Sequence, residues 1–300
     1  MHIIKGLRIW ARRPIYTLHS ILRYEAVSKG VVRRSRIRWF GDFARWGEVP
    51  FLMERDNMNI ALVLAAGVGQ RMRNGGLPKQ FLKLMGKPII IYTLEKFEQC
   101  DEIDKVVIAC HGSYVEYMQN LLHMFQIKKV DKVVVGGTDR QSSILKGLET
   151  IQRMGAEEQD IVVIHDGVRP LVDVRTIREN IRVASEYGCA ITVHPVTESV
   201  VITENENAGM NDFMKRADTY SMTAPQSFAY GKIQEAYNTI GAMENDGMPL
   251  LDAGMVYSKV HGDVHLVKEQ GTNIKITTPE DFYYLKAILD LEENKYIFGL

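Results

Sequence analysis

The sequence predicts an α/β fold, with a Rossmann-like, mostly parallel sheet sandwiched by helices. From Ile60 onward, short apolar runs of strand length alternate with segments of helical periodicity. The first run ends in a glycine-rich turn, and after Gly188 the alternation gives way to a polar, poorly periodic stretch. Because ligands bind beyond the carboxyl ends of the strands in such sheets, we expect functional residues to follow these runs.

Each predicted element rests on a local pattern. Buried strands are predicted at 60–64, 106–109, 132–135 and 161–164, and helices at 88–99, 114–126, 141–153 and 174–187. Later in the chain we expect strands at 190–193, 199–202 and 264–267, and a helix at 232–240. A last helix is expected to begin with Thr278 as its N-cap and Pro279 in its first position. The polar stretch within about 194–222 is expected to project as an arm.

The formal net charge of zero hides an uneven distribution of charge along the chain. Residues 1–57 hold 12 Lys or Arg against 5 Asp or Glu, whereas the remainder holds 25 against 32. An acidic main body argues against nucleic-acid binding, which needs a basic face. We therefore divide the chain into a basic N-terminal extension, 1–57, and a main domain, 58–300.

Two interpretations of residues 1–57 stay open. The extension contains all three tryptophans and an arginine-rich run, which is consistent with a surface segment that contacts anionic lipid or a partner. Alternatively, Met58 is the true start and the upstream residues are not translated, or they are a dispensable, disordered extension.

The cysteines and the hydropathy indicate a cytoplasmic protein. Cys100, Cys110 and Cys189 are odd in number and outside any C-x-x-C pattern, so neither a disulfide framework nor a zinc site is indicated. No apolar run approaches the roughly 20 residues that cross a bilayer, and the first segment does not resemble a signal peptide.

The glycine-rich turn has the composition of an anion-binding loop. In Leu64-Ala-Ala-Gly-Val-Gly-Gln-Arg-Met72, the glycines let the backbone approach a polyphosphate, and Arg71 and Lys79 add positive charge. A Walker loop is excluded because no Gly-Lys-Ser or Gly-Lys-Thr is present. A dinucleotide-binding turn is disfavoured because Met72 stands where that motif needs Gly or Ala.

Further motifs follow this loop in a characteristic order. They are Leu77-Pro-Lys-Gln-Phe81, Gly136-Gly-Thr-Asp-Arg-Gln-Ser-Ser143, His165-Asp-Gly-Val-Arg-Pro170, Ala224-Pro-Gln-Ser-Phe228 and Asn273-Ile-Lys-Ile-Thr277. Together with the loop, over about residues 58–290, they resemble the family that joins 2-C-methyl-D-erythritol 4-phosphate cytidylyltransferases with ribitol-5-phosphate cytidylyltransferases. The resemblance implies that residues 58–300 form a cytidylyltransferase domain, which transfers CMP from CTP to a polyol phosphate and releases pyrophosphate.

The resemblance also implies roles for individual residues. Three cations stabilise the reacting phosphates: Arg71, Lys79 and Lys275. The residues expected to bind CTP are Ala65, Ala66, Gly67, Gly69, Gly137, Ser143 and Asp166. Acceptor contacts are expected from Asp166, Ser199 and Arg216. In the family, the arginine that Arg216 matches reaches from the arm of one subunit to the acceptor phosphate of the other. The resemblance therefore implies a homodimer with a β-arm used for dimerisation. Mg²⁺ is expected to bridge the CTP phosphates, and the sequence identifies no protein ligand for it.

The acceptor is expected to be D-ribitol 5-phosphate. Ala224 and Leu251 stand where the methylerythritol enzymes usually have threonines, and the motifs at 77–81 and 137–140 resemble the ribitol-phosphate branch more closely. Leu251 departs from that branch too, so 2-C-methyl-D-erythritol 4-phosphate stays an alternative. Two further alternatives are another sugar-phosphate nucleotidyltransferase and a catalytically inactive binding protein.

Overall fold

The structure is a computed structural model that describes residues 57–67, 77–203, 207, 209–242, 251–269 and 273–298, together with two strands near the N-terminus. The chain divides into two units, Met1–Asp56 and Asn57–Leu300. In the first unit, β1 (Arg23–Ser28) pairs antiparallel with β2 (Val31–Arg36). The other predictions for residues 1–57 lie outside the described residues.

A seven-stranded sheet organises the second unit. Its strands in chain order are β3 (Asn59–Ala65), β6 (Lys105–Cys110), β7 (Val130–Val135), β8 (Ile161–Asp166), β9 (Cys189–Pro195), β10 (Tyr220–Ala229) and β11 (Leu266–Lys268). A small hairpin, β4 (Lys83–Leu84) with β5 (Lys87–Pro88), lies outside the sheet. The spatial order is β11-β9-β10-β8-β3-β6-β7, and only the two pairings of β10 are antiparallel. The predicted mostly parallel sheet is confirmed.

Helices cover both faces of this sheet. The described α-helices are α1 (Ile89–Glu98), α2 (Val115–Met124), α3 (Arg140–Arg153), α4 (Val174–Tyr187), α5 (Tyr230–Ala242), α6 (Ala253–His261) and α7 (Pro279–Phe298). Local sequence sets their ends. Asp173 caps the start of α4, and Gly188, with a φ of +90°, ends it in a left-handed conformation that glycine adopts without strain.

The central strands β3 and β6 are apolar along most of their length because each faces a core on both sides. In β3, Ala61 and Val63 belong to one buried cluster, and Ile60 and Leu62 belong to the other. The helix α3 lies close to this strand, since a Cβ at Gly147 would be 2.4 Å from the Leu62 side chain. This close packing fixes where the N-terminus of α3 points, at the carboxyl edge of the sheet.

Two parts of the sequence-based prediction need correction. The strand predicted at 199–202 is wrong, because only an isolated bridge between Val201 and Phe213 forms there. The strand β10 and the helix α6 were not predicted. Pro225 interrupts the strand pattern of β10, and the structure accommodates it in an irregularity between Met222 and Gln226.

The segment predicted as an arm, about 194–222, connects β9 to β10. Its two sides are joined by hydrogen bonds from Met214 N to Val200 O, 2.8 Å, and from Ile202 N to Asp212 O, 2.9 Å. Several apolar side chains of the arm are exposed, Met210 most of all at 85%. The dimerisation predicted for this arm stays a prediction.

Candidate active site

A cavity of about 240 Å³ opens at the carboxyl edge of the sheet. The residues that line it are Leu64, Ala65, Ala66, Gly67, Lys79, Gln80, Gly137, Thr138, Asp139, Arg140, Ser143, Asp166, Val168 and Lys275. The structure therefore brings together eight of the residues that the sequence singled out: Ala65, Ala66, Gly67, Lys79, Gly137, Ser143, Asp166 and Lys275. Gly69 and Arg71 lie outside the described residues.

The first wall of the cavity is the turn after β3, which a buried glutamine holds in place. Gln80 is 1% exposed, and its Nε2 donates to Ala65 O at 2.7 Å and to Gly67 O at 3.0 Å. Lys79 precedes this glutamine in the same 3-10 turn, Lys79–Phe81. Fixing the amide of Gln80 therefore also fixes the backbone that carries Lys79 to the cavity.

The second wall is the loop between β7 and α3. Ser143 Oγ accepts from Gly137 N at 3.0 Å and donates to Asp139 O at 2.7 Å, which closes the loop against the helix. A side chain at Gly137 is not tolerated, because its Cβ would lie 2.0 Å from Ser142 Oγ. Asp139 caps the helix by accepting from Ser142 N at 2.8 Å. The N-terminus of α3, with its positive dipole end, therefore faces the cavity.

Asp166, at the end of β8, gathers three cations around one carboxylate. Arg140 Nη1 donates to its Oδ1, and Lys275 Nζ and Arg169 Nε lie 3.0 Å and 3.2 Å from its Oδ2. Burial alone would raise the pKa of Asp166, but the charges of Arg140, Lys275 and Arg169 outweigh it and hold the pKa well below its usual range. The carboxylate is therefore ionised at every working pH, and the cluster keeps an excess of positive charge.

His165, the neighbour of Asp166, is not a proton-transfer group of this cavity. The ring is fully buried, and burial lowers the pKa of His165 to about 4, so the imidazole is neutral at pH 7. Its Nε2 lies 3.2 Å from Arg169 O, and its ring packs edge-on against Phe97. His165 supports the strand end rather than facing the cavity.

Several residues of the site were missed by sequence reasoning. Gln80, Arg140 and Arg169 all belong to the quoted motifs, but nothing in the spacing indicated which partners they contact. Ser199 and Arg216 are exposed on the arm and do not line the cavity, so a single chain does not bring them to the other predicted residues.

A second, larger groove of about 750 Å³ lies at the opposite, amino edge of the sheet. Its described lining includes Glu157, Glu158 and Glu235 and no lysine or arginine. An acidic lining repels a triphosphate, so this groove is not a second candidate for an anionic substrate.

The described residues show no resident metal centre and no membrane helix. They contain no group of three or more His, Cys, Asp or Glu side chains that would hold a metal ion. Among the helices described, none combines the length and the apolarity needed to cross a bilayer.

Comparisons with known proteins agree with this geometry. The family model for 2-C-methyl-D-erythritol 4-phosphate cytidylyltransferase, IspD, matches residues 59–291. A ribitol-5-phosphate cytidylyltransferase from Vibrio parahaemolyticus is 42% identical over 242 residues, which cover 81% of this chain and 100% of the relative. A protein of the same name from Streptococcus agalactiae serotype III is 38% identical, with the same coverage.

Solved structures show the same fold at lower identity. The 4-diphosphocytidyl-2C-methyl-D-erythritol synthase of Anaerococcus prevotii superposes with a TM-score of 0.66 at 24% identity, over 78% of this chain and 96% of that one. The 2-C-methyl-D-erythritol 4-phosphate cytidylyltransferase of Thermus thermophilus gives a TM-score of 0.60, also at 24% identity, over 77% and 98%.

Proposed function

Since the chain belongs to the 2-C-methyl-D-erythritol 4-phosphate cytidylyltransferase family, we propose that it transfers CMP from CTP to D-ribitol 5-phosphate and releases pyrophosphate. The observation that most supports the proposal is that Lys79, Arg140 and Lys275 line one cavity. The glycine turn after β3 and the N-terminus of α3 line the same cavity. The names of the relatives at 42% and 38% identity support the choice of acceptor.

The proposed reaction is an in-line displacement at phosphorus. A phosphate oxygen of the acceptor forms a bond to the α-phosphorus of CTP, and the bond from that phosphorus to the bridging oxygen of pyrophosphate breaks. Two strongly anionic reactants must approach each other, so cations have to offset their repulsion. Lys79 and Lys275 line the cavity, which supports this role for them, and Arg71 is expected to join them.

The cavity needs no general base for this step. A phosphate monoester has its second pKa near 6, so the acceptor oxygen is mostly ionised at pH 7. The buried, neutral His165 fits this view, because it lies behind the strand end and takes no part in moving a proton. Catalysis then consists of positioning and charge stabilisation.

Two missing hydroxyl groups on the acceptor side of the site support D-ribitol 5-phosphate as the acceptor. Ala224 is buried on β10 and Leu251 is exposed, and neither offers the hydroxyl that methylerythritol enzymes usually have there. The second candidate acceptor is 2-C-methyl-D-erythritol 4-phosphate, which is favoured by the description of the matching family model.

Three further properties belong to the proposal. A homodimer would let the exposed Arg216 on the arm reach the acceptor phosphate in a partner's cavity. Mg²⁺ is proposed to arrive with the CTP phosphates, since Asp166 is already engaged by three cations and no described cluster forms a metal site. A cytoplasmic location is proposed from the three free, buried cysteines.

An acceptor panel tests the proposal. Purified protein is incubated with CTP, Mg²⁺ and either ribitol 5-phosphate or methylerythritol 4-phosphate, and pyrophosphate release is measured. We expect faster turnover with ribitol 5-phosphate, and the reverse order would assign the second candidate. Absence of release with both acceptors would refute the proposed function.

A pair of lysine variants tests the assignment of the cavity. Lys79→Ala is expected to lower kcat by about 10²–10³, the usual cost of one preorganised charge-stabilising donor. The exposed Lys132, on β7 and outside the cavity lining, gives the matched control Lys132→Ala, which should retain wild-type turnover. Equal loss in both variants would contradict the assignment.

A further inference from the structure

A buried carboxylate outside the predicted site lies at the same edge of the sheet. Glu269 follows β11, and its backbone N–H donates to Val193 O at 3.1 Å, which extends the pairing with β9 by one residue. The residue is only 6% exposed. Because β11 runs parallel to β9, Glu269 is carried to the carboxyl edge, where β8 delivers Asp166.

Both oxygens of Glu269 are used, and both by neutral groups. Oε1 accepts from Thr223 Oγ1 at 2.8 Å, and Oε2 accepts from Asn273 Nδ2 at 3.0 Å. Within the described part of the chain, no cation forms a salt bridge with this carboxylate. Desolvation opposes these two hydrogen bonds, as it does for any buried carboxylate held by neutral donors.

The groups that face Glu269 affect its pKa in opposite directions. Burial raises the pKa of Glu269, although the hydrogen bonds from Thr223 and Asn273 and the more distant charges of Arg169 and His194 oppose the shift. Carboxylates whose pKa is shifted in this way are found more often at functional sites than in structural cores.

Glu269 connects to the active-site cavity through Asn273. The amide of Asn273 also donates to Ala224 O, and its backbone carbonyl accepts from Arg169 Nη1 at 2.7 Å. The following segment is fixed a second time where Ile276 N donates to Val168 O at 2.9 Å. Ile274 and Lys275 lie between these two attachments, and Lys275 lines the cavity.

We propose that Glu269 is a positioning residue: by holding the side chain of Asn273, it fixes the backbone that presents Lys275 to the reacting phosphates. The inference rests on the proposed function, in which Lys275 stabilises those phosphates. It assigns to Glu269 an effect on turnover rather than on CTP affinity, because the contact of Lys275 matters most where charge develops during the reaction.

Two substitutions at the same position separate hydrogen bonding from simple loss of stability. Glu269→Ala removes both contacts. Glu269→Gln keeps them, since its carbonyl accepts from Asn273 and its NH₂ donates to the Thr223 hydroxyl, whose own proton turns to Thr192 O, 3.4 Å away. We expect Glu269→Ala to lower kcat by about 10- to 100-fold, the cost of misplacing a reacting group, with little change in KM for CTP. Glu269→Gln should restore most of the turnover.

The chain offers a matched control at the opposite edge of the sheet. Asp160 is a buried carboxylate whose oxygens accept from Met58 N at 2.7 Å and Glu157 N at 2.9 Å. Asp160→Ala, or Asp160→Asn if truncation prevents folding, should lower the urea midpoint and leave kcat unchanged. The double variant Glu269→Ala/Asn273→Ala should lose less turnover than the product of the two single losses, because both single variants break the contact between Glu269 and Asn273.

Amide hydrogen exchange at Ile276 gives a readout that does not depend on activity. Exchange should accelerate in Glu269→Ala and stay slow in Glu269→Gln and in the Asp160 control. Wild-type kcat in Glu269→Ala, failure of Glu269→Gln to restore turnover, or unchanged exchange at Ile276 would each overturn the inference. If the wild-type protein transfers no CMP at all, the proposed function fails, while the exchange experiment still decides whether Glu269 orders the Lys275 segment.

Discussion

Replacing Asp166 with asparagine is expected to destabilise the ligand-free protein by about 3 kcal/mol. The side chain of Asp166 is 7% exposed and contacts Arg140, Arg169 and Lys275. Breaking a buried ion pair typically costs about 3–5 kcal/mol, and we take the lower end because Arg140 and Lys275 remain partly hydrated. For a folded unit of this size, the loss corresponds to a decrease in Tm of roughly 6–12 °C.

The difference in the free energy of unfolding between wild type and Asp166→Asn depends on pH in a predictable direction. The pKa of Asp166 in the folded protein lies below its value in the unfolded chain, which is about 3.9. The unfolded state therefore binds the proton first as the pH falls, and the stabilisation by Asp166 is lost progressively below about pH 4. Above about pH 5 the difference between wild type and Asp166→Asn should be constant.

Urea unfolding followed by far-UV circular dichroism measures the free energy of unfolding of both proteins. The matched control is Asp173→Asn, because Asp173 is 40% exposed, pairs with the exposed Arg175 and caps a helix, a role that asparagine fills equally well. The control should stay within about 1 kcal/mol of wild type. A loss of under about 1 kcal/mol in Asp166→Asn at pH 7 would show that the three cations do not depend on this carboxylate.

Three further predictions concern other parts of the second unit. Gly137→Ala should abolish CTP binding in calorimetry, since the added Cβ would lie 2.0 Å from Ser142 Oγ, and wild-type affinity would show that the loop has room. Burial raises the pKa of Cys100 and of Cys110 to about 11, so iodoacetamide at pH 8 should label them only after unfolding; rapid labelling of the native protein, seen by mass spectrometry, would contradict their burial. Asp252→Ala removes the N-cap of α6 and should lower the free energy of unfolding in urea by about 0.5–2 kcal/mol, whereas an equal loss in Asp252→Asn would argue against capping.

The strand and helix alternation was readable from the sequence because the central parallel strands are nearly continuous apolar runs bounded by turn residues. The sequence did not predict the strand β10, and the reason is physical. Its pairing with β8 and β9 is non-local, and Pro225 removes a backbone donor inside it, so no local pattern indicates a central strand. Tertiary packing overrides the local signal there.

In the candidate site too, individual residues could be predicted from local motifs, whereas their contacts with residues distant in sequence could not. Lys79, Asp166 and Lys275 were recognised from motifs, but the ion pair between Lys275 and Asp166 and the cavity that all three line depend on strand order and were not readable. Arg140 was quoted within a motif without a role, and its ion pair with Asp166 appears only in the fold. Glu269 belongs to no motif, and a glutamate after a short strand is usually exposed, so nothing in the sequence marked it.

The direction of β10 determines where the arm can emerge. The chain leaves the sheet at Pro195, the last residue of β9, and re-enters at Tyr220, the first residue of β10; Pro195 and Tyr220 are paired across the two strands. Both ends of the excursion are consequently fixed at the carboxyl edge of the sheet, whatever the number of residues between them. Insertions or deletions in this segment would change its reach without altering the register of the seven strands, so the length of the segment can vary while the sheet that carries the cavity stays the same.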